Sequence, residues 1–171
     1  AIILRWAELS YEFAKHEVSI PEILALLIIQ PKNERNVFLA KNVYKKVIDL
    51  TCVWSGISLS QNRFDVDHAI PFSIWKNNDL WNLLPSHPKI NHQKRDRIVT
   101  LSILRSSKER IIQYWKILYQ EAPLRFQNEL RRTLLGNKPT LENWESHAFS
   151  TLSEAVETIA LQRGVERWEI L

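Results

Sequence analysis

The sequence contains no methionine, three glycines and one cysteine in 171 residues. A single cysteine, Cys52, excludes an intramolecular disulfide framework, so a packed core has to hold the fold. No apolar run approaches the ~20 residues that a membrane-spanning helix needs. No secretory signal pattern stands at the start. These absences together predict a protein of the reducing cytoplasm, with no membrane partner. Internal repeats and low-complexity segments are also absent. The lack of methionine, and a start inside helical periodicity ("AIILRWAELSYEFAKHE"), predict a piece of a longer polypeptide whose remainder carries its own function.

What is present argues for a globular chain. Apolar residues make up 45%, enough for a sizeable core. Seven tryptophans stand at 6, 54, 75, 81, 115, 144 and 168, and most are expected as core anchors. The formal charge of +4 permits a polyanionic partner without demanding one.

Residues 1–50 read as helical. Ile2, Ile3, Trp6, Leu9 and Phe13 recur near a 3.6-residue period. Ser19 and Glu22 form a capping-box pattern before "ILALLII", with Pro21 at an early helical position. In "NVFLAKNVYKKVIDL", Phe38, Val43 and Val47 are expected to face a core. The texture changes at Thr51. "TCVW" and "RFDVDHAI" read as two short strands, 51–54 and 63–69, and "NNDLWNLLP" as a loop with a brief helical turn. "PKINHQKRDRI" reads as a basic helix. From 99 onward "LSILRSSKERIIQYWKILYQEA", "PLRFQNELRRTLLG" and "TLENWESHAFSTLSEAVETIALQRG" read as helices, with Gly136 and Gly164 as C-caps. The expected architecture is one mainly α unit over 1–171. Helical parts 1–50 and 99–171 flank a small ββα core over 51–98, built of two short antiparallel strands and a helix.

That core carries the chemistry. Hydrolysing a phosphodiester takes a water, a base for its proton and positive charge for the developing phosphorane. Histidine suits the base, because its ordinary pKa lies near neutrality. A hard divalent cation takes carboxylate, amide and phosphate oxygens. Asp67 and His68 are adjacent at a strand end, Asn91 follows on the helix, and Lys94 lies about one turn beyond it. An Asp-His pair by itself reads more readily as a surface salt bridge or a satisfied histidine. The company of Asn82, Asn91 and Lys94 makes it a candidate site.

At these residues the segment resembles the HNH endonucleases, or ββα-metal nucleases. Their signature places Asp-His at a strand end, Asn in the loop, and a second His or Asn on a helix followed three residues later by Lys. Here it reads Asp67-His68, Asn82, Asn91 and Lys94, an H-N-N variant. The steps from His68 to Asn82 and on to Asn91 are similar to those of HNH domains in CRISPR effector proteins, and "DHAIPFSIW" resembles the family's "DHIIPxS" stretch.

The resemblance implies His68 as general base, Asp67 and Asn91 as ligands of Mg²⁺ or Mn²⁺, and Asn82 as the residue that holds the loop. It implies DNA as substrate and a role in restriction or phage defence, within a larger polypeptide or beside a defence-system partner. A non-catalytic ββα nucleic-acid-binding module is the alternative, and the oligomeric state stays open. Lys89, Lys94, Arg95 and His87 are expected to meet the nucleic-acid backbone, with Arg97 in the same basic run; a solvated face is the plainer reading. His92 rivals Asn91 as ligand, and only one of the two is expected to face Asp67. Asp65 shares the strand face of Asp67. Many relatives carry two Cys-x-x-Cys pairs for a structural zinc. These would fall on Cys52/Ser55 and His87/Ile90, so no structural zinc is expected. Trp54, Trp75, Trp81 and the helical flanks are expected to brace the core in its place.

Overall fold

The computed structural model describes residues 2–28, 34–136 and 143–170. Contacts divide the chain into two compact units, Ala1–Glu34 and Arg35–Leu171.

In the first unit, helix α1 (Ile2–Phe13) packs on α2 (Ile20–Ile28). The capping box expected at the start of α2 forms. Ser19 donates its backbone N–H to the Glu22 carboxylate at 2.9 Å, and the Glu22 N–H returns to Ser19 Oγ at 3.4 Å. Only Ala7 and Ile23 are buried among the described residues, while Trp6 and Phe13 stay exposed. Residue 29, the end of the "ILALLII" run, lies outside the described residues.

The second unit begins with α3 (Phe38–Tyr44), which packs on the strands and on α6. Val43 and Tyr44 are buried, but Phe38 is 73% exposed, contrary to the sequence reading. The position opens the helix, where the apolar period is not yet set by packing. Next, residues 51–58 make a knuckle and not the expected strand. Gly56 turns it at φ 73°, its N–H bonding to Cys52 O and the Cys52 N–H to Ile57 O, both at 2.8 Å.

The strands are β1 (Asp65–His68) and β2 (Leu83–Ser86), antiparallel, with Asp67 opposite Leu84 and His68 opposite Leu83. β2 thus falls where the sequence reads as loop. "LLPS" carries no alternation because all four residues are buried, and Pro85, lacking an N–H, accepts from the Val53 N–H instead. Helix α4 (Pro88–Lys94) completes the ββα unit. His87 caps it by accepting the Lys89 N–H, and Arg95 ends it at φ 52°.

β3 (Ile98–Val99) then pairs in parallel with β4 (Arg167–Trp168). Between them run α5 (Leu101–Ser106), α6 (Lys108–Glu121), α7 (Pro123–Leu130) with a wide final turn over Arg131–Leu135, and α8 (Trp144–Arg163). Gly136 and Gly164, at φ 62° and 60°, follow the turns they end, as expected of C-caps. The expected opening of α8 at 140–142 lies outside the described residues. Among the described residues no helix is long and apolar enough to cross a membrane.

These helices brace the ββα unit. Trp54, Trp81 and Trp115 are fully buried, and Trp115 Nε1 donates to Trp81 O at 2.7 Å. Arg110 of α6 donates to the Val53 and Trp54 carbonyls of the knuckle. Glu129 of α7 accepts the Leu80 N–H at 2.6 Å. The fold is of the expected class, mainly α with a small ββα core.

Candidate active site

Asn82 sets the loop between the strands. Its Oδ1 accepts the Ile70 N–H at 2.8 Å, and its Nδ2 donates to Ile70 O at 3.1 Å and Asn77 O at 3.3 Å. Its backbone carbonyl also accepts the Ala69 N–H. A fully buried amide with its donors and acceptor used in this way clamps both ends of the 70–82 loop. The loop therefore leaves β1 immediately after His68 at a fixed angle.

Asp67 and His68 emerge where β1 ends, and both line an open pocket of about 390 Å³ with Arg35, Lys76, Asn91, His92, Arg95 and others. The Asp67 carboxylate is held from behind. Trp54 Nε1 donates to Oδ2 at 2.8 Å, and the Lys94 ammonium lies 3.1 Å from Oδ2 and 3.2 Å from Oδ1. Counting two acceptor positions per oxygen, Oδ2 is filled and Oδ1 keeps one.

Lys94 corrects the sequence reading. Its side chain is fully buried, and the ammonium bonds to His68 O at 2.8 Å as well as to Asp67. With its three donors spent on the two Asp67 oxygens and His68 O, the ammonium has none left for a phosphate. It pins α4 to the end of β1 and neutralises Asp67.

Asn91 donates Nδ2 to Asp65 at 2.9 Å, which turns its Oδ1 into the ligand-capable end of the amide. Asp65 thus acts on Asn91 through a hydrogen bond. Asn91 and His92 both line this pocket. Arg95 is exposed at its rim. His87 and Lys89 do not join it; they line a separate cleft with Ser58, Arg63 and Pro88. Cys52 is buried with its Sγ 3.8 Å from Ser86 Oγ.

His68 is buried, tilted against the Phe72 ring at 5.4 Å between centroids. Burial pushes its pKa down from 6.5 to about 4, an effect the Asn78 hydrogen bond opposes. The imidazole is therefore neutral at pH 7. Its Nε2 lies 3.2 Å from Asn78 Oδ1. Its Nδ1 is the one buried side-chain nitrogen or oxygen without a hydrogen-bond partner among the described residues. An orphan of this kind costs about 1–3 kcal/mol, which points to a use for it.

With that geometry in place, the order of the motif has a counterpart among known proteins. Residues 52–100 match the profile of the HNH endonucleases. This segment belongs to the HNH endonuclease family. The family is one of nucleases, and the HNH segment implies a nucleic acid as substrate. No curated protein matches the chain.

Arg35, which lines the pocket, and Asn78, which meets His68, escaped sequence reasoning. Arg35 lies before the HNH segment and donates Nη2 to Val66 O at 3.1 Å, which brings its guanidinium to the pocket. Asn78 lies inside the segment but reads as one loop asparagine among several. Neither position carries a sequence signal: Arg35 reaches the pocket by its bond to β1, and Asn78 reaches His68 through the path of the 70–82 loop.

HNH nucleases generally use divalent metal ions. The donors here fit such an ion. Asp67 Oδ1 and Asn91 Oδ1 are hard oxygens with spare acceptor capacity at one pocket, the preference of Mg²⁺ and Mn²⁺. Among the described residues no group of three His, Cys, Asp or Glu side chains converges as a metal cage. Phosphate and water would therefore fill most of the coordination shell.

Proposed function

We propose that this protein is a metal-dependent endonuclease that hydrolyses phosphodiester bonds in DNA, with His68 as general base. The observation that carries the reading is the neutral, buried imidazole with an unpartnered Nδ1, set in one pocket with Asp67 and Asn91. A base must be unprotonated to act, and at pH 7 this one is. Arg35, Lys76 and Arg95 supply positive charge around the same opening, which suits a polyanionic backbone.

In this reading a phosphodiester seats against the cationic rim. His68 takes the proton of a water that attacks phosphorus in line with the leaving oxygen. Asp67, kept in place by Trp54 and Lys94, and Asn91, turned by Asp65, would hold Mg²⁺ or Mn²⁺. That ion, when bound, stabilises the developing negative charge on the phosphorane and leaving oxygen. Asn82 keeps the loop from shifting the base. The resemblance to HNH proteins of restriction and phage defence extends the reading to that role, within a larger polypeptide or beside a defence partner.

Plasmid nicking across a Mn²⁺ titration tests the proposal, with DNA binding measured separately. The wild type should nick with metal and stop with chelator. His68→Ala should lose ~10²–10⁴ in rate and keep DNA binding, because the base acts in the transition state. Asp67→Ala should lose activity that high Mn²⁺ partly restores. DNA binding without metal-dependent cleavage by the wild type would instead make it a ββα binding module.

A further inference from the structure

The Asn78 amide has a chemical identity that the hydrogen bonds decide. Its Oδ1 accepts the backbone N–H of Asn36 at 3.0 Å. A backbone N–H can only donate, so the atom facing it is the oxygen and not the amide nitrogen. The same oxygen lies 3.2 Å from His68 Nε2. An amide oxygen can only accept, so Nε2 must carry the proton. A neutral imidazole with its proton on Nε2 has its lone pair on Nδ1, and Nδ1 is the buried nitrogen left without a partner.

We propose that Asn78 is the positioning residue of the base: anchored by the Asn36 N–H, its Oδ1 holds the Nε2 proton of His68 and so assigns proton abstraction to Nδ1. This rests on His68 being the base. It goes further, because it makes a segment ahead of the HNH match part of the active site. That segment is itself tied down. Arg35 bonds to Val66 O on β1, and Asn36 Oδ1 accepts the Phe38 N–H at 3.1 Å where α3 begins. The chain path is then continuous from α3 through Asn36 and Asn78 to the imidazole. The wrong tautomer would place a proton on the nitrogen that must receive one, and a misassigned catalytic histidine loses orders of magnitude in rate.

The decisive measurement is ¹⁵N NMR of histidine-labelled protein at pH 8, with the His68 signals assigned by their loss in His68→Gln. The wild type should show a protonated Nε2 and an unprotonated Nδ1. Asn78→Ala should shift His68 toward mixed tautomers and lower kcat for plasmid nicking at least ~10-fold with KM nearly unchanged. Asn78→Asp keeps an acceptor for both Nε2–H and the Asn36 N–H, so it should retain the tautomer and most of kcat at that pH. A wild-type His68 protonated on Nδ1 overturns the proposal, whether or not any variant folds. So does a folded Asn78→Ala that keeps both tautomer and kcat. A wild type with the expected tautomer but no cleavage would sink the nuclease reading and with it the catalytic role of Asn78, leaving only the Asn78–His68 hydrogen bond.

Discussion

Lys94→Met separates a structural lysine from a phosphate-binding one. Methionine keeps most of the length and apolar stem but removes the ammonium. In the folded protein that ammonium is wholly buried against the Asp67 carboxylate and the His68 carbonyl. Deleting one partner of a buried pair leaves the other charge uncompensated in a poor solvent, which costs about 3–5 kcal/mol. For a unit of this size the melting temperature should fall by roughly 10–15 °C. Asp67→Asn alone should also destabilise, by stranding the ammonium. The double variant, Asp67→Asn with Lys94→Met, should be more stable than the sum of the two single losses by at least ~1 kcal/mol, because neither charge is then stranded. Thermal and urea denaturation of the four proteins measures this cycle. A Lys94→Met protein that melts within about 2 °C of wild type but binds DNA more weakly would refute the argument and restore the role read from sequence.

Asn82→Ala should cost about 2–4 kcal/mol, since it strands the buried Ile70 N–H and opens both ends of the loop; urea denaturation checks it, and a loss under 1 kcal/mol would contradict the clamp. The pH dependence follows from His68. The unfolded imidazole takes up a proton near pH 6.5 but the folded one only near 4, so its contribution to stability is complete above about 6.5 and declines as pH falls toward 4. Between pH 7 and 5 the wild type should lose about 2 kcal/mol that His68→Gln does not lose; parallel curves for the two would refute it. The acid limb of kcat should likewise lie near pH 4, and a limb centred at 6.5 would show that the imidazole is not desolvated in the working enzyme.

The residues gathered at the pocket were legible because they are local. Asp67, His68 and Asn91 lie within one short motif, and a loop step and a helix turn suffice to bring them to one pocket. Asn82 was legible for the same reason. The strand partner was not. β2 has both faces buried and a proline inside it, so it offers neither alternation nor a β-rich composition, whereas "TCVW" offers composition but turns back on itself at Gly56. Lys94 was misread because spacing gives the face of a helix but not what covers it. Arg35 and Asn78 were invisible because they meet His68 through tertiary folding, and nothing in a linear pattern records that approach.

The pairing of β3 with β4 bears on how the fold comes into being. Val99, at the trailing edge of the HNH segment, finds its ladder partner only in Trp168, after five intervening helical stretches. Contacts so distant in sequence form late, and a chain emerging from the ribosome cannot form this one until Trp168 has left the exit tunnel. The nascent polypeptide thus carries its complete HNH motif for many residues before the motif has its last brace. A chain cut short within α8 would present the full HNH motif on a scaffold that lacks its β3 partner strand.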